Sequence, residues 1–593
     1  MTLPFQPNRD VPSRKTTTHP FRSIDEFFDE AHRQIPSSEQ QKIGTSIRRF
    51  RYYMIFLALG IANSGDATEI NCLNYVLSSD EFQYDMLGND LASNGALFGS
   101  SIYAGMLFGG LLTGLFGDNF GRKPILLTGL ISNSCSGALS AFAPNFGLLC
   151  FFRFISGLGI GAVITCIITL ATELSPPSRR GLYVTFVSSF WTIGSIFISS
   201  MGWIVLGIEG KSWRFFLSVA AIPSSVGFAL VACYVPESPR FLALNRKYVE
   251  ATKAANIVAD AMGFRGVKLG LDEVRHYYDD DESNNISGEL PQASTTEEAH
   301  ESKKDKKNIA IILRQHFRKC TKELNETMIN AFQNISGLYS ELIRWRKTIP
   351  LQVLWFCMSF GSGLVNWIAT IFIKIGLVDV YFAALLFAMA NLPGNIATAY
   401  LLDRVGRKTV LMSSMLLAAL SLLTFAGTVH FDYGQYRNLN IVLSACFFHA
   451  FMVCGWCTIS VMTGELFPTT VRNTGLGICT ASGRIAAMIV QFVNGSLVET
   501  PDVLLIVSSV VILIGALTPF LMKMEEMSLK PLSDDVSAGG GGDGAASKVP
   551  GDEVLTDCPT DHSDAITPNA DRENVQTRAR GRIRDDLKHL ELA

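Results

Sequence analysis

The sequence is poor in charge and has no strong excess of either sign. Only 17% of its 593 residues are charged, and the formal net charge is −3, so no basic surface for nucleic acid is expected. The twelve cysteines are scattered, most of them inside apolar runs, which excludes a disulfide framework of the secreted type. Nothing resembles a nucleophile–base set, and no metal or organic cofactor is implied. We therefore expect a protein that is not an enzyme and needs no cofactor.

The first fifty residues also lack an early apolar core and are rich in Arg, Asp and Glu. No cleavable signal peptide is expected there, and the apolar run from Tyr52 would serve as a signal anchor. Near the other end, the stretch "GGGGDGAAS" has no Gly-Lys-Ser. It is therefore expected to be flexible and is not a phosphate-binding loop.

What the sequence does contain is two blocks of long apolar runs, roughly 51–235 and 349–522. Each run is about 20 residues long, the length that spans hydrocarbon. Since lipid cannot satisfy free backbone groups and the runs do not alternate, each is expected to be a helix. This predicts an all-α membrane protein with twelve transmembrane helices, near residues 52–77, 95–117, 124–143, 147–172, 182–207, 213–235, 350–373, 379–402, 409–429, 439–464, 474–498 and 502–522.

The positions of Lys and Arg predict the orientation. The short loops at Arg122–Lys123, Arg179–Arg180 and Arg404–Lys408 fall on one side, whereas the loop "SSDEFQYDMLGND" on the other side has acids but no Lys or Arg. Positive loops stay in the cytoplasm. We therefore expect both termini to be cytoplasmic, in a multi-pass protein of the plasma membrane or an endomembrane vesicle.

The polar segments complete the expected domain organisation. Residues 283–302, between Asp279–Glu282 and Lys303–Lys307, are expected to be disordered, and Asn308–Arg346 has the apolar spacing of one or two surface helices. The predicted domains are a cytoplasmic N-terminal segment (1–50), a six-helix half (51–240), a partly disordered cytoplasmic loop with surface helices (241–348), a second six-helix half (349–524) and a disordered cytoplasmic tail (525–593).

A repeated motif relates the two blocks. "GDNFGRKP" begins at Gly117 and "LDRVGRKT" at Leu402, which places Asp118 and Asp403 285 positions apart. The segments "ATELSPPSRRG" and "TGELFPTTVRN" repeat at an offset of 292. The chain is therefore predicted to consist of two pseudo-symmetric six-helix halves. Such halves place a binding site near the bilayer midplane, at the seam between them.

These motifs resemble the major facilitator superfamily over both apolar blocks. The loop signature is matched by Gly114, Asp118, Gly121, Arg122 and Lys123, with Phe116 where Leu is usual. Its second copy is matched by Asp403, Gly406, Arg407 and Lys408, with Ala399 in place of the first Gly. Arg153, Gly157, Gly159, Gly161 and Glu173 match the helix 4 signature.

Further matches narrow the resemblance. "GDATE" in helix 1, "PESPR" after helix 6 and "ELFPTTVRNTGLG" in helices 10–11 resemble the synaptic-vesicle-glycoprotein-2-related and organic-ion transporter branch. Helix 7 lacks the paired Gln of sugar porters, and the loop between helices 1 and 2 has no Asn-x-Ser/Thr. Both observations favour a small organic ion over a sugar.

The resemblance implies a gate of charged residues that joins the halves in one state. Asp118 is expected to meet the N-terminal end of helix 11. The alternative is that these charges only mark helix ends. The expected gating and inter-half residues are Gly114, Asp118, Gly121, Arg122, Lys123, Glu173, Arg180, Asp403, Gly406, Arg407, Lys408, Glu465 and Arg472.

Asp66 and Glu69 lie three residues apart inside helix 1, and so on one face. Two neighbouring carboxylates in a membrane favour a proton on at least one of them. In proton-coupled members of the superfamily a helix 1 Asp pairs with the helix 4 Arg. Carried over, Asp66 would be the proton carrier and Arg153 its release switch. The alternative is that both acids lie near the outer surface and contact water.

The substrate is expected to meet Arg484, an Arg in helix 11 without a counterpart in the first half. It suits an anion, whereas Asp66 and Glu69 suit a cation, and a zwitterion satisfies both. The alternative for Arg484 is that it pairs with Glu465 or with the acids of helix 1. The other expected cavity residues are Trp191, Trp355, Asn366, Trp367 and Trp456.

The sequence as a whole predicts a monomeric secondary transporter that moves a small organic ion by alternating access with proton coupling. Its expected partners are that ion, protons and the lipid bilayer. Two alternatives remain open: a sugar or phosphate carrier, and a vesicle-resident receptor or binding protein on the same fold that does not transport.

Overall fold

The protein is described by a computed structural model over residues 23–33, 39–88, 90–264, 268–271, 273–275, 339, 342–431, 434–467 and 472–521. These residues form helices and turns only. The helices are α1 (Ile24–Arg33), α2 (Glu39–Leu77), α3 (Ala96–Phe120), α4 (Arg122–Ser140), α5 (Phe146–Glu173), α6 (Arg180–Gly202), α7 (Trp213–Ala220), α8 (Ile222–Tyr234), α9 (Pro239–Leu244), α10 (Tyr248–Met262), α11 (Leu342–Ser362), α12 (Ile368–Ile375), α13 (Val380–Met389), α14 (Asn391–Val405), α15 (Arg407–His430), α16 (Arg437–Leu466), α17 (Arg472–Leu497) and α18 (Pro501–Leu521).

Ten of the described helical stretches are long and apolar enough to cross a membrane, judged by length and composition. They correspond to ten of the twelve spans predicted from the sequence. The other two predicted spans are the helices α2 and α4, which carry more polar side chains and fall outside this set. In α2 the acids at 66 and 69 lower the hydropathy, and α4 is rich in Ser.

The helices pack mainly with others of the same part of the chain. Among α2 to α8, called here the N-terminal helices, α3 and α4 pack on α5, and α6 and α8 pack on α2. Among α11 to α18, called here the C-terminal helices, α15 packs between α16 and α18, and α11 packs on α17 and α18. The two sets meet mainly where α3 contacts α17, where α2 contacts the segment between α11 and α12, and where α6 contacts α13.

The two copies of the repeated motif adopt the same tight turn. α3 ends at Phe120 and α4 begins at Arg122, with Gly121 at φ 98° between them; Gly406, between α14 and α15, has φ 93°. Side chains strongly disfavour this region, so each turn requires glycine. The end of the bundle that carries these turns is called here the motif end, and the other end the opposite end.

The helix α1 near the start of the chain was not expected from the sequence. Its residues Ile24, Phe27, Phe28 and Ala31 are buried, and the Phe27 ring lies 5.6 Å from that of Phe264 beyond α10. The predicted surface helix or helices within Asn308–Arg346 lie almost entirely outside the described residues. Near the end of that range, α11 begins at Leu342. The predicted disordered segments 283–302 and 525–593 also lie outside them.

We expect Phe27→Ala to release α1 from the bundle while the rest of the protein stays folded. Truncating a buried Phe costs about 3–5 kcal/mol, and a helix of 10 residues is too short to persist without packing. Hydrogen exchange would show loss of protection confined to residues 24–33. Phe50→Ala is the matched control, because that ring is 62% exposed and its loss should change nothing. Retained protection at α1 in Phe27→Ala would contradict the packing described here.

Candidate functional site

A fully buried ion pair joins α2 to α5. Arg153 Nη1 lies 2.7 Å from Glu69 Oε2, and both side chains have 0% exposure. The other guanidinium nitrogen, Nη2, donates to Ser140 Oγ at 2.5 Å, and Nη1 also lies 3.5 Å from Cys72 Sγ. The carboxylate lies so close to α4 that a Cβ at Gly137 would be 2.2 Å from Glu69 Oε1. Close packing of three helices therefore holds this pair.

The partner of Arg153 differs from the expectation that it pairs with Asp66. The structure instead pairs Arg153 with Glu69, which lies three residues further along α2 than Asp66. A carboxylate at 69 lies about 4.5 Å further along the helix axis than one at 66, and this matches the level at which α5 presents its guanidinium. The expected Asp66–Arg153 pair is thus replaced by a Glu69–Arg153 pair.

Asp66 is buried with 0% exposure and makes one hydrogen bond. Asn133 Nδ2 of α4 donates to its Oδ1 at 3.3 Å, while its Oδ2 has no hydrogen-bond partner among the described residues. The idea that Asp66 and Glu69 lie near an outer surface in contact with water does not fit this burial. Within the described part of the chain, no cation therefore neutralises the Asp66 carboxyl group by direct contact.

Arg484 of α17 lies deep in the bundle, and its side chain remains partly exposed. It interacts electrostatically with Asp66 of α2 and Tyr103 of α3, and none of the hydrogen bonds or ion pairs between described residues involves its side chain. Tyr103 in turn accepts a hydrogen bond from Asn366 Nδ2 at 2.7 Å. These four residues, called here the central site, bring groups of the N-terminal and C-terminal helices together.

Two of the four predicted Trp side chains lie beside the central site as a pair. Trp355 and Trp456 have ring centroids 5.4 Å apart in an edge-on arrangement, and a Cβ at Gly483 would lie 3.4 Å from the Trp355 ring. Gly483 precedes Arg484, so the pair lies along the same stretch of α17. Trp191 of α6 is half-buried, and its side chain contributes none of the hydrogen bonds between described residues.

Trp367 lies elsewhere, in the 3₁₀ segment Gly363–Trp367 that separates α11 from α12. Its ring is fully buried, and Nε1 donates to Gln491 Oε1 at 2.8 Å. The ring also lies against Gly95, where a Cβ would be 3.1 Å away. In this structure it therefore fills the seam between the sets and does not line an open space.

The two sets are joined near the opposite end of the bundle. The backbone N–H of Ala369 donates to Asn74 Oδ1 at 2.9 Å, and the rings of Tyr75 and Tyr381 stack with centroids 6.3 Å apart. Nearer the middle, Asn395 Nδ2 donates to Thr192 Oγ1 at 2.8 Å. These contacts join the N-terminal and C-terminal helices between the central site and the opposite end.

At the motif end, two expected gate residues of the N-terminal helices contact the segment that follows α8. The Glu237 carboxylate accepts from the backbone N–H groups of Arg122 and Lys123, at 3.1 Å each, and so caps α4. The Arg122 guanidinium lies 5.2 Å from the Phe241 ring. Gly114 is exposed on α3.

Arg180 and Glu173 also act within the N-terminal part. Arg180 lies 3.1 Å from Asp25 of α1, and Arg240 also pairs with Asp25. Glu173 lies within electrostatic range of Arg122 and Arg240. For Arg180 this differs from the expected contact with the other half. The helix α1, which was not expected from the sequence, supplies the Asp25 carboxylate instead.

The corresponding residues of the C-terminal helices behave similarly. Arg407 Nε lies 3.3 Å from Glu465 Oε2, and the Lys408 ammonium lies 5.9 Å from the Phe520 ring. Glu465 is therefore not the partner of Arg484. The side chains of Asp118, Asp403 and Arg472 lie outside the described part of the structure, so their expected roles stay predictions.

Several polar residues of the site were missed from the sequence. Asn133, Tyr103 and Gln491 lie in apolar helices without a motif around them, and Glu237 was quoted only as part of "PESPR". A buried amide or hydroxyl within a span was the available signal, because polar groups in lipid need partners. In the described part of the chain, no group of three or more His, Cys, Asp or Glu could hold a metal ion.

The chain is similar over most of its length to several curated proteins. It is 24% identical to synaptic vesicle glycoprotein 2C of Homo sapiens, over 79% of this chain and 78% of that protein. It is 27% identical to organic cation/carnitine transporter 7 of Arabidopsis thaliana, over 84% and 96%. It is 25% identical to the niacin transporter NiaP of Acinetobacter baylyi, over 79% and 94%.

Solved structures show the same fold. A partially occluded, inward-open structure of the xylose transporter XylE from E. coli matches with a TM-score of 0.57 at 17% identity, covering 81% of this chain and 99% of that one. The family model described as "Sugar (and other) transporter" matches residues 66–529, which include all four residues of the central site. The chain therefore belongs to the sugar (and other) transporter family of the major facilitator superfamily.

Proposed function

We propose that this protein is a secondary active transporter that moves a small organic ion by alternating access, coupled to protons. The observation that carries the proposal is the central site, where Asp66 and Arg484 interact electrostatically and form no ion pair with each other. A charged group inside a membrane is costly and marks a functional position. Two opposite charges from the two sets of helices, neither with a directly bonded counter-ion among the described residues, suit a charged solute held between them.

The charges of the site define the class of solute. Glu69 and Arg153 neutralise each other, which leaves Asp66 and Arg484. With Asp66 protonated the remaining charge is positive and suits an organic anion, whose carboxylate the guanidinium binds in bidentate fashion. With Asp66 ionised, a zwitterion satisfies both groups. Relatives named for niacin and for organic cation/carnitine transport agree with this class.

The proposal includes the architecture that the sequence predicts. All twelve helical spans cross the membrane as two six-helix halves, the motif end and both termini face the cytoplasm, and the protein works as a monomer. The contacts at the opposite end would then make this the state that is closed to the outside. The two halves would rock about the central site to open the other side.

The proposal is tested by Asp66→Asn in the purified full chain in liposomes. With an imposed pH gradient, wild-type protein should accumulate labelled nicotinate, labelled carnitine or both. Asp66→Asn mimics the protonated carboxyl group, so accumulation should fall to the level of equilibration while exchange across the membrane survives.

Asp85→Asn, an exposed carboxylate at the opposite end, is the matched control and should behave as wild type. Labelled glucose tests the sugar alternative. Uptake of glucose alone, or undiminished accumulation by Asp66→Asn, would overturn the proposal. Absence of any uptake would favour a binding protein that does not transport.

A further inference from the structure

A buried amide connects Asp66 to two neighbouring helices. Asn133 Nδ2 of α4 donates to Asp66 Oδ1 at 3.3 Å and to Ser224 Oγ of α8 at 3.1 Å. Its Oδ1 accepts from Ser156 Oγ of α5 at 2.6 Å. All four side chains belong to residues with 0% exposure. Three helices other than α2 therefore supply one polar network that ends on the carboxyl group.

The hydrogen bonds of the structure define the orientation of the amide. The Ser156 hydroxyl donates to Asn133 Oδ1, so the NH₂ group faces Asp66. An amide nitrogen only donates hydrogen bonds, and the two N–H groups are divided between Asp66 and Ser224. In this orientation Asn133 donates to the carboxyl group, and a hydrogen bond of this kind favours the ionised carboxylate.

The second oxygen of the carboxyl group has a different environment. Asp66 Oδ2 is buried without a hydrogen-bond partner among the described residues. The charged groups that act on it are Glu69 of its own helix, which is bonded to Arg153 of α5, and Arg484 of α17. At this level α4, α6 and α8 contribute neutral groups only, within the described residues. The hydrogen bond from Asn133 therefore makes the two carboxyl oxygens of Asp66 unequal, because only Oδ1 accepts it.

We propose that Asn133 is a positioning residue that sets the proton affinity of Asp66 and leaves Oδ2 as the atom that takes the proton. The inference rests on the proton coupling proposed above. A hydrogen bond to the ionised form stabilises it relative to the protonated form. The proton adds to Oδ2 and leaves from the same atom, so no other bond is made or broken. Without the amide, Asp66 would hold its proton to higher pH and release it late in the cycle.

The variant that tests this is Asn133→Leu, which keeps the side-chain size and removes the donor. The readout is infrared difference spectroscopy of the full chain in liposomes, titrated with pH. The carbonyl band of protonated Asp66 is identified as the one absent in Asp66→Asn. The band midpoint should move upward by about one pH unit, a tenfold rise in proton affinity. The measurement needs no substrate.

Two further variants separate positioning from folding. Ser136→Ala removes a buried hydroxyl of α4 that bonds only to the backbone of its own helix, and should leave the midpoint unchanged. Ser156→Ala removes the hydroxyl that orients the amide and should move the midpoint in the same direction by a smaller amount. It provides the test even where Asn133→Leu does not fold.

The outcomes distinguish this inference from the proposed function. A wild-type chain without a titrating band at Asp66 would refute proton coupling and this inference together. A wild-type band with an unchanged midpoint in both Asn133→Leu and Ser156→Ala would overturn the inference alone. In transport, Asn133→Leu is expected to give the same upward shift in the pH profile of accumulation.

Discussion

Replacing Arg153 by Leu is expected to leave little folded protein. The substitution strands Glu69, whose side chain has 0% exposure, as a buried carboxylate without a counter-ion. Removing one partner of a buried pair costs about 3–5 kcal/mol, a large part of a total stability of about 5–15 kcal/mol. Glu69→Leu should be equally severe, because it strands the guanidinium. The measurements are the yield of monodisperse protein and its thermal midpoint in detergent.

The double variant Glu69→Leu/Arg153→Leu separates the effect of removing the whole ion pair from the effect of removing one partner. Replacing a whole buried pair by apolar residues is often neutral or stabilising, so most of the yield should return. Lys374→Ala is the matched control. Its partner Glu499, 2.6 Å away, is exposed, and such surface pairs contribute about 0–1 kcal/mol. Wild-type stability of Arg153→Leu would contradict the buried pair.

Arg484→Leu should abolish the uptake of organic anions while the protein remains folded. The side chain is partly exposed and has no direct ion pair among the described residues, so its removal leaves no bonded partner stranded. Losing a buried charge–charge contact to a ligand costs about 2–5 kcal/mol, which is about 30-fold or more in the kcat/KM of transport. The measurement is the initial rate of labelled nicotinate uptake into liposomes.

Arg484→Lys refines this prediction. Lysine keeps the charge and loses the planar fork that matches a carboxylate, so uptake should be intermediate. Arg437→Leu, at the start of α16 where the guanidinium donates to the Ile375 carbonyl at 3.3 Å, is the control outside the central site and should transport as wild type. Unchanged anion uptake by Arg484→Leu would remove Arg484 from the substrate site.

The sequence located the helices better than it identified the partners of individual charged side chains. The repeated motif marked both turns. Apolar length located ten spans, because a run of apolar residues in lipid has one low-energy backbone, the helix. The same reasoning missed α1, whose four buried side chains are only one face of a short, charged stretch. Its burial depends on a groove that other parts of the chain form.

The sequence also did not predict which residue pairs with each buried or gating charge. Arg153 was matched with Asp66 by resemblance, whereas the structure joins it to Glu69, and Arg180 joins Asp25 of α1. Which carboxylate a guanidinium meets depends on differences of a few ångströms in helix depth and rotation. Those differences are set by packing between helices far apart in the sequence.

The sequence by itself determined the repeat at offsets of 285 and 292. It also determined the helical class, because that class follows from local composition and hydrocarbon thickness. Only the tertiary structure decided that Glu69 neutralises Arg153, that Asn133 faces Asp66 and that Arg484 has no bonded counter-ion in the part of the chain that the structure describes. The physical reason is that helix formation in a membrane follows from the hydrophobicity of consecutive residues. Hydrogen bonds and ion pairs depend instead on the distance between atoms that folding brings together.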